Sequence, residues 1–185
     1  RDRMSTPKLS EAGRRHALLV SRARRLARPR KAPNAIESIS CLVCEAGGEL
    51  YALPLSHMAR VVPFIRPASV PTTNAALLGV VSRAGIFYHV YDLGRLVGSA
   101  NTDARGHLVM LRGSPPIALR VDEAIRVADL VVLSPADTSH MRANHAAVTG
   151  FARPLQHGLF NERTVSLIDT DRLVAGHASS RVGGN

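Results

Sequence analysis

Cys41 and Cys44 are the residues in this chain whose type and spacing most directly suggest chemistry, either a redox dithiol or half of a metal site. A thioredoxin-like dithiol needs its first sulfur at a helix N-terminus, and a structural zinc needs four ligands, commonly two such pairs. The chain has no other cysteine. Cys41-Leu42-Val43-Cys44 reads as part of a strand, where residues three apart point to opposite faces. The pair is therefore read as two strand residues, and no metal or cofactor is expected. The eight histidines include no His-Glu-x-x-His spacing, and the nearest approach to a ligand pair is His140 with His145, in a loop. His89 is expected on a strand face shared with Phe87 and Tyr91. Ser82, Ser134 and Ser166 lack the glycines of a nucleophile elbow, and Gly47-Gly48 is a hairpin turn and not a phosphate cradle. Asp92, Asp122 and Asp169 each follow apolar strand residues, where turn or helix-cap duty is expected in place of acid catalysis. No catalytic residue emerges, and no enzyme is expected.

The elements that would position these residues are mostly short strands. Runs at 39–45, 49–53, 58–65, 78–82, 86–91, 107–112, 117–121, 124–128, 130–133, 147–152 and 164–168 carry β-branched and aromatic residues and are separated by turns. A brief helix is expected over 92–97, with Asp92 as its N-cap and Gly98 as its stop. Val90-Tyr91-Asp92-Leu93 and Leu167-Ile168-Asp169-Thr170 look alike, which divides the segment into two similar halves. Many short strands at this spacing argue for barrels, not for alternating strand-helix units.

One stretch carries a resemblance. Gly79-Val80-Val81-Ser82-Arg83-Ala84-Gly85-Ile86-Phe87-Tyr88-His89-Val90-Tyr91-Asp92-Leu93 resembles, without a gap, the pattern Gly-Val-(apolar)-Asn-Leu-Arg-Gly-x-(apolar)-(apolar)-Pro-(apolar)-(apolar)-Asp-Leu of the CheW family of chemotaxis coupling proteins. Gly79, Val80, Gly85, Val90, Asp92 and Leu93 match directly. Upstream, residues 41–55 are similar to the family's opening hairpin. Downstream, Val121-Asp122 lies in a stretch similar to its Val-Asp-x-Val strand pair, and Val148-Thr149-Gly150-Phe151 with Val165-Ser166-Leu167-Ile168-Asp169 resembles its last hairpin. The resemblance covers residues 37–176. It implies an all-β fold of two packed five-stranded barrels, with short helices added. It also implies a non-enzymatic scaffold that joins methyl-accepting chemoreceptors to a CheA-type histidine kinase, one barrel meeting the kinase and the cleft between barrels meeting the receptor.

The chain departs from the family pattern at defined places. The arginine of Asn-Leu-Arg-Gly stands one place early, as Arg83, with Ala84 in its usual position, and on a strand or tight turn a one-residue shift sends a side chain to the other face. The usual proline is His89. The family's Val-x-Glu-(apolar) appears as Met58-Ala59-Arg60-Val61, an acid replaced by a base. In the family these places belong to receptor docking, so Met58, Arg60, Val61, Arg83, Ala84 and Gly85 are the candidate partner-binding residues. Gly79, Gly85, Asp92, Leu93, Val121, Asp122 and Gly150 are the candidate structural motif. A divergent coupler is expected, matched to an unusual receptor or to a chemosensory system other than swimming.

The charge is concentrated at one end. Residues 1–36 hold eleven Lys and Arg against two acids, while the remainder holds thirteen against twelve. Residues 9–28 have helical periodicity, with Ala12, His16, Leu19, Val20 and Ala23 in one sector and arginines in the opposite one, ending at Pro29. Such a helix could lie on an anionic membrane, reach for nucleic acid or dock on an acidic partner, and a solvated tail is the bland alternative. Residues 1–36 are thus read as helix and linker, 37–176 as the domain and 177–185 as a flexible tail. No apolar run is long enough to span a bilayer and no secretory pattern is present, so a cytoplasmic location is expected. The competing reading is a small β-barrel that binds nucleic acid through the arginine helix. Such barrels present several exposed aromatics as stacking platforms, whereas this chain has seven Phe and Tyr in all.

Overall fold

The computed structural model describes residues 38–99, 105–141, 143 and 145–178, all within the compact unit Glu37–Asn185. The expected helix over 9–28, its linker and the chain beyond residue 178 lie outside the described residues. Ten strands follow in order: β1 (Ser38–Ala46), β2 (Glu49–Pro54), β3 (Met58–Pro63), β4 (Leu77–Arg83), β5 (Ile86–Asp92), β6 (His107–Leu111), β7 (Ile117–Val121), β8 (Glu123–Val132), β9 (Val148–Pro154) and β10 (Val165–Ile168). Two helices, α1 (Leu93–Leu96) and α2 (Thr170–Ala178), follow β5 and β10. The 124–133 region is one strand and not the two expected. No Gly or Pro interrupts it, and β1 pairs along it continuously from Ser38–Val131 to Val43–Arg126.

The strands form two five-stranded sheets, as expected for the two-barrel fold. β1-β2-β10-β9-β8 closes into a barrel, and β3-β6-β7-β5-β4 forms the second sheet. The two share one plan. Each has an antiparallel hairpin (β1–β2, β6–β7), a second hairpin laid parallel against it (β10 on β2, β5 on β7), and a helix that starts where the second hairpin ends. The repeat extends to irregularities: Leu78 is skipped between Leu77–Tyr91 and Gly79–Val90, as Thr149 is between Val148–Ile168 and Gly150–Leu167. The motif glycines Gly79 and Gly150 are therefore equivalent. The sheets differ in how they close. β8 pairs with β9 over Leu130–Pro154 to Val132–Ala152, whereas the chain leaving β3 meets β4 at a single antiparallel bridge, Ala68–Val80, with both N–H···O distances 2.9 Å. Gly79 is required there: a Cβ would stand 2.1 Å from the Ala68 carbonyl oxygen, and its φ of +137° is one that L side chains rarely adopt.

Three cores result, and strand alternation assigns residues to them. Cys41, Val43, Leu50, Ala52, Leu130 and Val165 fill the first barrel. Val62, Val81, Val90, Leu108, Met110 and Ala118 fill the second. Between them lies the largest cluster, including Leu42, Cys44, Tyr51, Leu53, Leu93, Val109, Leu119, Val121, Ile168 and Leu173. β1, β2, β6 and, apart from Arg120, β7 are thus buried and apolar on both faces, which is why they read as nearly continuous apolar runs. Each fully buried Leu or Ile in this seam contributes about 1.5–3 kcal/mol, so the barrels form one folding unit. Cys41 and Cys44 point into different cores and are free thiols. Burial pushes Cys41 up to about 11 and Cys44 to about 12, with Asp129 and Asp122 adding to the effect.

Candidate docking site

The β4–β5 hairpin ends in a two-residue turn, Ala84-Gly85, flanked by the pair Arg83–Ile86. Both turn residues are left-handed, at φ 49° and 76°, the geometry that matches the twist of the flanking strands. Every residue from Ser82 to Phe87 is exposed, and Phe87 is 67% exposed. Phe87, His89 and Tyr91 do share a face, but that face runs from solvent into the seam, where Tyr91 is buried.

Strand directions place the other candidate residues at this same end. β5 and β7 start here, and β3 starts and β6 finishes here, since Met58 pairs with Leu111 and Arg60 with Met110. Met58 is buried in the seam, Val61 packs against it from partial exposure, and Arg60 is exposed. The candidate binding residues therefore gather at one end of the second sheet, on its two edge strands β3 and β4. Beside them the β6–β7 turn and α2 bound a groove of about 310 Å³, lined by Leu111, Arg112, Ser114, Pro115, Thr170 and Asp171 among others. His57 Nδ1 and the Thr170 hydroxyl share a hydrogen bond, and the Arg112 N–H donates to the His57 carbonyl at 2.8 Å. The groove thus lies where the two barrels meet.

The opposite end is held by buried charge. Arg120 on β7 stands beside Asp92 on β5, as their register requires. Its guanidinium lies 3.2 Å from Asp92 Oδ2 and 2.6 Å from Asp122 Oδ1, and donates to the Arg105 carbonyl at 3.0 and 2.8 Å. Asp92 is fully buried and Arg120 is 2% exposed. Asp122 Oδ2 accepts the Gly47 N–H at 2.6 Å, tying the β1–β2 turn of the first barrel to the end of β7. Asp92 Oδ1 caps α1 by accepting the Arg95 N–H at 2.9 Å. Burial pushes the Asp92 carboxyl above the usual carboxylate range, opposed by the Arg95 N–H and the Arg120 charge. Asp169 repeats the cap on α2, accepting the N–H groups of Asp171 and Arg172 at 3.0 Å. Asp122 stands at the bend between β7 and β8, as expected of a turn residue, and in addition joins the barrels. Sequence reasoning passed over Arg120, although a charge inside the apolar run Ile117–Val121 was the available signal.

The motif residues hold this frame: Leu93 and Val121 are fully buried in the seam, and Gly79 and Gly150 sit at the repeated bulge. Among the described residues no group of three or more His, Cys, Asp or Glu could hold a metal ion, and no helix is long and apolar enough to cross a membrane.

Known proteins agree with this architecture. The family model for the CheW-like domain matches residues 40–177. Among solved structures, the scaffolding protein TtCheW from Thermoanaerobacter tengcongensis is similar, with a TM-score of 0.59 at 17% identity, covering 85% of this chain and 97% of that one. No curated protein matches the chain. With the repeated hairpin plan, the buried seam and the motif hairpin all inside the matched span, the chain belongs to the CheW-like domain family.

Proposed function

We propose that this protein is a non-enzymatic coupler that docks a CheA-type histidine kinase on one surface and a methyl-accepting chemoreceptor on another. The observation that carries the reading is the exposed end of the second sheet. In a chain of this family, the motif hairpin from Ser82 to Phe87 stands entirely in solvent beside the inter-barrel groove. Apolar residues held in solvent on a rigid hairpin suit recognition of another protein, because little ordering entropy is lost on docking. The divergence at Arg60, Arg83 and Ala84 is a change of partner specificity, since a charge set against a mismatched one suppresses wrong pairings.

The test is a pull-down of the purified chain against the kinase's regulatory region and the cytoplasmic fragments of chemoreceptors from the same cell. Capture of both supports the coupler. Capture of neither removes it. Deleting residues 1–30 is expected to leave folding and kinase capture intact, and loss of either would contradict the reading of that segment as a tail.

A further inference from the structure

The near-neutral body conceals a separation of charge between its barrels. Residues 58–121, which supply every strand of the second sheet, hold seven arginines and two acids, for a net of +5. Residues 37–57 and 122–185, which supply the first barrel, hold six arginines and ten acids, for a net of −4. Within the second sheet Asp92 is consumed by Arg120, so its described surface carries Arg60, Arg66, Arg83, Arg95, Arg105 and Arg112 with no acid of its own.

Four of these are at or directed toward the docking end. Arg60 is on the first half of β3, Arg112 follows β6, and Arg83 closes the exposed hairpin. Arg66 lies on the segment that the antiparallel Ala68–Val80 bridge runs toward Arg83. All four are exposed, and among the described residues none forms an ion pair. Of the four, Arg112 lines the groove, and Asp171 of α2 lines it too. Arginines without ion pairs at an end whose hairpin also exposes Ile86 on one face and Phe87 on the other make a positive potential beside apolar surface, and a partner must answer both.

We infer that the receptor segment docking at this end is acidic, presenting carboxylates to Arg60, Arg83 and Arg112 beside an apolar contact with the exposed hairpin residues Ile86 and Phe87. This rests on the coupler reading and adds the chemistry of the partner. Arginine forks match carboxylates in two-point geometry, and such rim charges set the association rate and choice of partner.

The experiment measures binding of the full chain to a chemoreceptor cytoplasmic fragment and, separately, to the kinase regulatory region, from 50 to 500 mM NaCl. The Arg60→Glu/Arg112→Glu variant and a control, Arg126→Glu on the first barrel, are compared by thermal melt to confirm folding. Receptor affinity is expected to fall about tenfold or more with the double reversal and to weaken with salt, because rim charges act through screened fields. The control should bind as the parent does. Restoration by a Glu-to-Lys change in the receptor segment supports the inference. Receptor binding that ignores both salt and charge reversal overturns it while leaving the coupler intact. Failure of the parent to bind either protein overturns the coupler itself. If the double reversal abolishes self-association and leaves receptor binding unchanged, the acidic occupant is a second copy, and the inference fails. Tighter binding of a single-stranded oligonucleotide probe than of the receptor fragment overturns it too.

Discussion

Replacing Arg120 with methionine tests how the two barrels are held. The change keeps an unbranched aliphatic stem but shortens the side chain and removes its charge, leaving Asp92 fully buried without the Arg120 cation and the Arg105 carbonyl without two donated hydrogen bonds. Breaking a buried pair by removing one partner costs about 3–5 kcal/mol. Asp122 is 27% exposed and recovers some hydration, so the loss centres on Asp92. Domains of this size are stable by about 5–15 kcal/mol, so the variant should melt far below the parent but retain a folded baseline. The pH dependence carries a sign. Asp92 has a folded-state pKa above its unfolded value, so the native state binds more protons than the unfolded one between those two values, and stability falls as pH rises through that window. Without Arg120 one of the groups lowering that pKa is gone, so the window widens and the variant loses more stability from acid to neutral pH than the parent. Urea unfolding at pH 5 and pH 7 measures both effects. Adding Asp92→Asn should return much of the loss, since the unpaired charge is then absent. A variant within about 1 kcal/mol of the parent at pH 7, with no recovery in the double variant, would refute a buried ion pair as the clasp.

Gly79→Ala should destabilise the domain by at least about 2 kcal/mol, because its Cβ meets backbone at the bridge that closes the second sheet. Gly150→Ala, at the equivalent position with only the Leu167 side chain 3.8 Å away, should cost less, and paired thermal melts compare them. Ala84→Gly should stabilise by about 1 kcal/mol, since alanine there holds a left-handed φ of 49° that glycine adopts without strain. Cys44 should resist a thiol reagent at pH 8 until the chain unfolds, because its sulfur is buried with a pKa pushed to about 12. Labelling at the rate of a free thiol in the folded state would contradict its place in the seam.

Much of the fold was legible because its periodicity is local. The turn between the runs 78–82 and 86–91, the Asp92 and Asp169 caps and the division into two similar halves follow from residue types within a few positions of one another. The opposite orientation of Cys41 and Cys44 followed from strand geometry alone. What could not be read was set by pairing at long range. The union of 124–128 with 130–133 depends on β1 pairing along the whole length, and the near-closure of the second sheet depends on one bridge between Ala68 and Val80. The Arg120 cluster joins residues from 47 to 122, beyond any sequence window. For the docking site, motif position identified Arg60 and Arg83, but Arg66 and Arg112 acquire meaning only when the strands bring them toward the same end. The net charge of the whole body, close to zero, hid the opposite charges of its halves.

Receptor control of the kinase tests the coupler most directly. Autophosphorylation of the CheA-type kinase is measured with receptor fragments, with and without the full chain. The coupler predicts that receptor addition changes the kinase rate only when the chain is present, and that Arg60→Glu/Arg112→Glu weakens this control. A kinase rate that is the same with and without the chain, in a mixture where a standard coupler restores control, would contradict it.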